Sequence, residues 1–112
     1  MPLSNIAAVD QVSQALSLAS LRNQAIASNI ANRDTEGYQR VEAKFIAALQ
    51  TREIGRPVLT PETLAPGAKA TPSIEQDMVA LSANALHYQA LARVLSRYFS
   101  IHETIAGNGG RS

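Results

Sequence analysis

From about Ser4 to Ala31, apolar residues recur with the alternating three and four steps of a helix. Val9, Val12, Leu16, Ala19, Ile26 and Ile30 form one seam, with Asn23 at its single polar position. A second set, Leu18, Leu21 and Ala25, lies off that seam and widens the apolar surface beyond what one partner helix covers. Asn23 has two readings, a register-fixing polar residue inside a helix interface or a simple solvent-facing one. After Tyr38, the run Val41, Phe45, Ile46 and Leu49 predicts a short helix reaching about Arg52, with Arg40, Glu42 and Lys44 marking its exposed face. From Ile54 onward Gly55, Pro57, Pro61, Pro66, Gly67 and Pro72 recur among threonines. Such spacing of prolines excludes a long helix or a central strand and predicts a loop or extended linker, with Arg52 and Arg56 solvated beside Glu53 and Glu62.

A second long helix opens at Pro72-Ser73. Ser73 with Gln76 has the form of a capping box, and Glu75 and Asp77 sit in the first turn, where the helix dipole favours negative charge. Met78, Leu81, Ala85, Tyr88, Ala92, Leu95, Phe99 and His102 then keep the three-four rhythm, and Leu91, Val94, Tyr98, Ile101 and Ile105 make a second seam beside it. The glycines of the tail, Gly107 to Gly110, close this helix at about Ala106. The predicted fold is all-α. Two long N- and C-terminal helices pair as a coiled-coil-like hairpin, joined by a short helix and a Pro/Gly-rich loop, with no β domain. The parts are 1–38, 39–72 and 73–112, together one structural unit.

Charge sharpens this picture more than composition does. Between Asp10 and Arg22, and again between Asp77 and Arg93, no residue carries a formal charge. A solvated helix of an ordinary domain, with about a quarter of its residues charged, would carry several in each stretch. Two helices of roughly 43 and 51 Å cannot hide both uncharged flanks against one another, and a chain of 112 residues buries only a modest core. The surplus predicts an oligomer or polymer, with the missing cover supplied by other subunits.

The two helices meet the intervening segment through Ser28 to Tyr38, SNIANRDTEGY. Asn32, Asp34, Thr35 and Gly37 arrive together as turn formers. Their side chains can satisfy the orphan backbone groups of a helix end, and Gly37 permits a positive φ before the ring of Tyr38. The string Asn29-Ile30-Ala31-Asn32, followed by Thr35, Gly37 and Tyr38, resembles the N-terminal signature of the flagellar basal-body rod, hook and hook-associated proteins. That family usually has Pro before the Gly-Tyr pair, and Glu36 stands there in this chain. The later stretch EQDMVALSANALHYQALARVLSRYFSIHETI is similar to the C-terminal end of proximal rod members of the family, through its acidic start, the Asn84-Ala85-Leu86-x-Tyr88 core and the Ser96-Arg97-x-Phe99-Ser100 segment. The likeness covers roughly two-thirds of the chain. The middle, Gln39 to Thr71, matches loosely and has no room for the β-rich insertions of longer relatives.

The resemblance implies a structural subunit of a tubular drive shaft around an export channel, in the periplasmic part of the basal body. It further implies delivery through the flagellar type III apparatus without signal cleavage. Partners by resemblance are other copies of the chain, other rod proteins, a FliE-type adaptor, the MS ring and the export gate. The assembly residues are then Leu16, Ile26, Ile30, Leu81, Tyr88, Leu95 and Phe99 on the seams, with Asn29, Asn32, Gly37 and Tyr38 at the turn.

Other chemistry finds no home in the sequence. With 10 basic and 9 acidic residues the chain is too balanced for a dedicated binder of nucleic acid or anionic membrane. It has no cysteine, which removes disulfides, thiolate zinc sites and cysteine nucleophiles. His87 and His102 lie some 22 Å apart along one helix and cannot share a metal within the chain. Glu75 and Asp77 point to different sides of their helix and suit dipole stabilisation better than acid/base work. No phosphate-binding glycine loop, nucleophile elbow or cofactor motif is present, so neither an enzyme nor a small-molecule site is expected. The N-terminus has no basic, apolar signal pattern, and no run approaches the roughly 18 apolar residues of a membrane span, so an integral membrane protein is not expected. A rival from another class is a small helical-hairpin adaptor or export chaperone that binds a partner's amphipathic helix.

Overall fold

The computed structural model describes residues 3–46, 55–63 and 71–109, with side chains over 7–46, 55–63 and 71–101. Four elements follow one another: α1 (Leu3–Ala31), β1 (Val41–Ile46), β2 (Arg56–Pro61) and α2 (Ile74–Gly109). The first helix contains neither Pro nor Gly and closes at the Asn32–Gly37 turn. At the start of α2 the capping box is formed in both directions. The Gln76 N–H donates to Ser73 Oγ at 3.1 Å, and the Ser73 N–H donates to Gln76 Oε1 at 2.8 Å. The helix passes the expected stop at Ala106 and runs to Gly109.

The expectation of an all-α fold without β structure is overturned between the helices. Where a short helix and a linker were predicted, β1 and β2 pair antiparallel from Val41 opposite Pro61 to Ile46 opposite Arg56. The predicted helix residues 47–52 and the linker residues 64–70 lie outside the described residues. The prolines are compatible with the ladder because of its register. The Glu62 N–H donates to the Arg40 carbonyl at 2.9 Å, which makes 40–62 a hydrogen-bonded pair. Alternation along an antiparallel ladder then makes Val41–Pro61 and Phe45–Pro57 non-hydrogen-bonded pairs, where the N–H that proline lacks would point away from the partner. In a two-stranded sheet both strands are edges, so a rule that bars proline from central strands does not apply.

The sheet packs on α1, and α1 pairs with α2. Among the described residues the fully covered apolar side chains are Ala19 and Ala25, and the buried polar ones are Asn29, Asp77 and Asn84. Small residues let the helices approach closely. The Asn84 Nδ2 reaches across and donates to the Ala19 carbonyl at 2.8 Å. The radius of gyration is 18.6 Å, against about 13 Å for a compact chain of this length, and the longest dimension is 66 Å. The molecule is a rod whose helices keep much of their apolar surface in water.

Candidate functional site

The signature turn is a hydrogen-bonded knot. At its centre Asn29 is 3% exposed. Its Nδ2 donates to the Val41 carbonyl at 2.9 Å, while its Oδ1 accepts from the Val41 N–H at 3.0 Å. The side-chain amide thus does for the start of β1 what a neighbouring strand would do. The ladder register explains why this is needed: Val41 sits at a non-hydrogen-bonded pair, so its N–H and C=O face away from β2 and require another partner. The Tyr38 hydroxyl lies 3.1 Å from the same Asn29 Oδ1 and 2.8 Å from Ser28 Oγ. Asn32 donates to the Ser28 carbonyl at 3.0 Å, and the Thr35 hydroxyl donates to Asn32 Oδ1 at 3.3 Å. Gly37 adopts φ +77°, and the Tyr38 N–H donates to the Thr35 carbonyl at 3.2 Å, the geometry of a type II turn with Glu36 at its first central position.

Behind the knot lies an ion cluster that joins three segments distant in sequence. Arg40 is held bidentate on Asp77, Nη1 to Oδ2 at 2.9 Å and Nη2 to Oδ1 at 2.8 Å, and its Nε donates to Glu62. Arg33 adds a longer contact to Asp77 at 3.9 Å and a hydrogen bond to the Pro72 carbonyl at 3.3 Å. The Asp77 side chain is 6% exposed and that of Arg40 is 17% exposed. Hydrogen bonding to Asp77 raises the already high pKa of Arg40, with desolvation opposing and Glu62 reinforcing, so the guanidinium stays charged. Arg40 therefore pins the start of β1 to the first turn of α2 and to the residue after β2. Sequence reasoning missed it, because it assigned Arg40 to the exposed face of a helix. The signal was present only as one basic and two acidic residues, Arg40, Glu62 and Asp77, without a reason to bring them together.

The remaining sequence-selected residues fall into two groups. Asn29, Asn32, Gly37 and Tyr38 meet in the knot, with Ile26 and Ile30 half-buried on the last turns of α1. Leu16 and Tyr88 line one cleft between the two helices. On α2, Leu81 and Leu95 are half-buried, while Tyr88 and Phe99 are 42% and 54% exposed. The covered stripe of α2 is Asp77, Leu81, Asn84, Leu91, Leu95 and Tyr98, with Ala92 of the predicted seam beside it. It has the same three-four spacing as the predicted seam but is rotated around the helix, because Asp77 and Asn84 find partners on Arg40 and α1 that a purely apolar pattern does not register.

Residues 12–39 match the family described as flagella basal body rod protein. The matched segment runs from within α1 through the Asn32–Tyr38 turn and ends at Gln39, short of Arg40 and of the Val41 backbone that Asn29 holds. No curated protein and no solved structure matches the chain. The match covers 28 of the 112 residues, a quarter of the chain, and the family it describes is one of structural rod components, not of enzymes. No helix among the described residues is long and apolar enough to cross a membrane.

Proposed function

We propose that this chain is a FlgB-type subunit of the proximal rod, assembling by helix packing into the periplasm-spanning drive shaft around the export channel and serving flagellum-dependent motility. The observation that carries the reading is the rod-family match over 12–39, which coincides with the helix and the knot. The exposed apolar flank of α2 supports it: Met78, Val79, Leu86, Phe99 and Ile101 are each more than half exposed on one helix. That flank needs subunits to cover it. Extensive apolar burial between subunits lets a tube transmit torque without shearing. Delivery through the flagellar type III apparatus, and contacts with a FliE-type adaptor, the MS ring and the export gate, follow from the resemblance of the C-terminal segment.

The test places a photo-cross-linking residue at Val79 or Phe99 in cells that build flagella. Adducts with rod proteins in isolated basal bodies, and loss of swimming on deletion of the chain, are the expected result. Adducts confined to a soluble complex with an export substrate would overturn the rod reading in favour of a helical-hairpin adaptor or chaperone.

A further inference from the structure

The hydrogen-bonded pair at 40–62 sets the alternation along the ladder, so Val41, Ala43 and Phe45 point their N–H and C=O groups away from β2. The outer edge of β2 is closed by its sequence. Of its outward residues, Pro57 and Pro61 have no N–H to offer, which leaves Leu59 as the one with a donor. The outer edge of β1 has no proline. Among the described residues Ala43 and Phe45 make no backbone hydrogen bond on that side, and a cleft of about 530 Å³, lined by Val41 and Ala43 with Arg22, Ile26 and Gln76, leaves room beside the strand. Val41 differs from its neighbours, because the Asn29 side chain takes both of its groups, at 2.9 and 3.0 Å. Burial and the Tyr38 hydroxyl, 3.1 Å from Asn29 Oδ1, hold that amide in place.

We propose that the Asn29 amide is a guard on this edge: by holding Val41 it blocks antiparallel pairing of β1 with the β1 of a second copy, for which the strand is self-complementary. The strand reads Val41-Glu42-Ala43-Lys44-Phe45. Laid against itself with Ala43 opposite Ala43, it sets Glu42 opposite Lys44 of the second copy, twice by symmetry, and Val41 opposite Phe45 of the second copy. Moving the register one step to either side sets Glu42 opposite Glu42 or Lys44 opposite Lys44, like charges at the closer, non-hydrogen-bonded pair. The charge-matched register needs the Val41 N–H and C=O for Phe45 of the second copy, and those are the groups that Asn29 occupies. The register that leaves Val41 alone is the one that sets lysine on lysine. Open strand edges template pairing between chains, so the amide confines association to the helix flanks, whatever partner those take.

Two variants of the full chain open the edge. Asn29→Ala removes both contacts to Val41, and Asn29→Asp keeps an acceptor for the Val41 N–H while losing the donor to its carbonyl, which preserves more of the local structure. Circular dichroism establishes whether each keeps its helices. In sedimentation equilibrium of the purified protein, the opened variants should dimerise at least about tenfold more tightly than the wild type, with amide exchange at Ala43 and Phe45 slowing as concentration rises. Adding Lys44→Glu, at a side chain 56% exposed, sets acid against acid and should abolish the gain. Mixing that double variant with one that carries Glu42→Lys on the same Asn29 background should restore it as a heterodimer. A folded Asn29 variant that associates no more than the wild type overturns the proposal, as does a gain that Lys44→Glu leaves intact. Loss of the helices in both Asn29 variants also overturns it, since Asn29 is then a purely structural residue.

Discussion

Replacing Arg40 by Met keeps much of its volume and removes the charge from the cluster that ties β1, the end of β2 and α2 together. Asp77, 6% exposed in the native packing, then loses its bidentate partner, and Glu62 loses its contact as well. Breaking a buried ion pair from one side costs about 3–5 kcal/mol. Two features reduce this here: Arg33 stands 3.9 Å from Asp77, and Asp77 lies in the first turn of α2, where the helix dipole offsets up to about 1 kcal/mol. The expected loss is about 2–3 kcal/mol, which lowers a urea midpoint by roughly 2 M at the slope of a small domain. Arg40→Lys, which keeps a charge but loses the fork, should fall between the two. The assay is urea unfolding followed by helical circular dichroism, completed as a double-mutant cycle with Asp77→Asn. Because the unpaired carboxylate carries the cost, Arg40→Met/Asp77→Asn should be more stable than additivity allows by at least about 1 kcal/mol. A single-variant effect below about 0.5 kcal/mol, or additive effects in the cycle, would refute the argument that the cluster holds the segments together.

The same pair gives a pH prediction. The folded-state pKa of Arg40 is raised above its ordinary, already strongly basic value by the hydrogen bond to Asp77, so its contribution is fully present below that ordinary value and is lost only as pH rises through the higher folded one. The stability gap between the wild type and Arg40→Met, measured by urea unfolding, should thus stay flat between roughly pH 6 and 10. Asn29→Ala removes three hydrogen bonds and orphans both groups of Val41; it should cost about 2–3 kcal/mol and speed amide exchange at Val41. Glu36→Pro places proline at the favoured first central position of a type II turn and should raise the melting temperature through about 0.4–1 kcal/mol, whereas Gly37→Ala at φ +77° should lower it by about 1 kcal/mol. Gly55→Ala would bring a Cβ to 2.6 Å from the Phe45 ring and 2.9 Å from the Ile46 carbonyl oxygen, so it should cost about 1–3 kcal/mol in the same melt and loosen the β1–β2 pairing.

The helices and the turn were legible because their causes are local. A Pro- and Gly-free stretch with three-four periodicity forms α1, Ser73 and Gln76 cap α2 by bonding each other, and Gly37 supplies the positive φ that its turn requires. The uncharged flanks were equally readable, since a missing charge is missing in any fold. The segment after Tyr38 was not. Val41, Phe45, Ile46 and Leu49 fit a helix by spacing, and the ladder that makes Val41–Ile46 a strand depends on Arg56–Pro61, whose prolines are harmless only in one register. The roles of Arg40 and Asn84 were hidden for the same reason: each acts on a group 37 or 65 residues away. Local propensity and periodicity are properties of neighbouring residues and survive translation into sequence, whereas pairing register, the rotation of α2 about its axis and the meeting of opposite charges are decided by which segments share space.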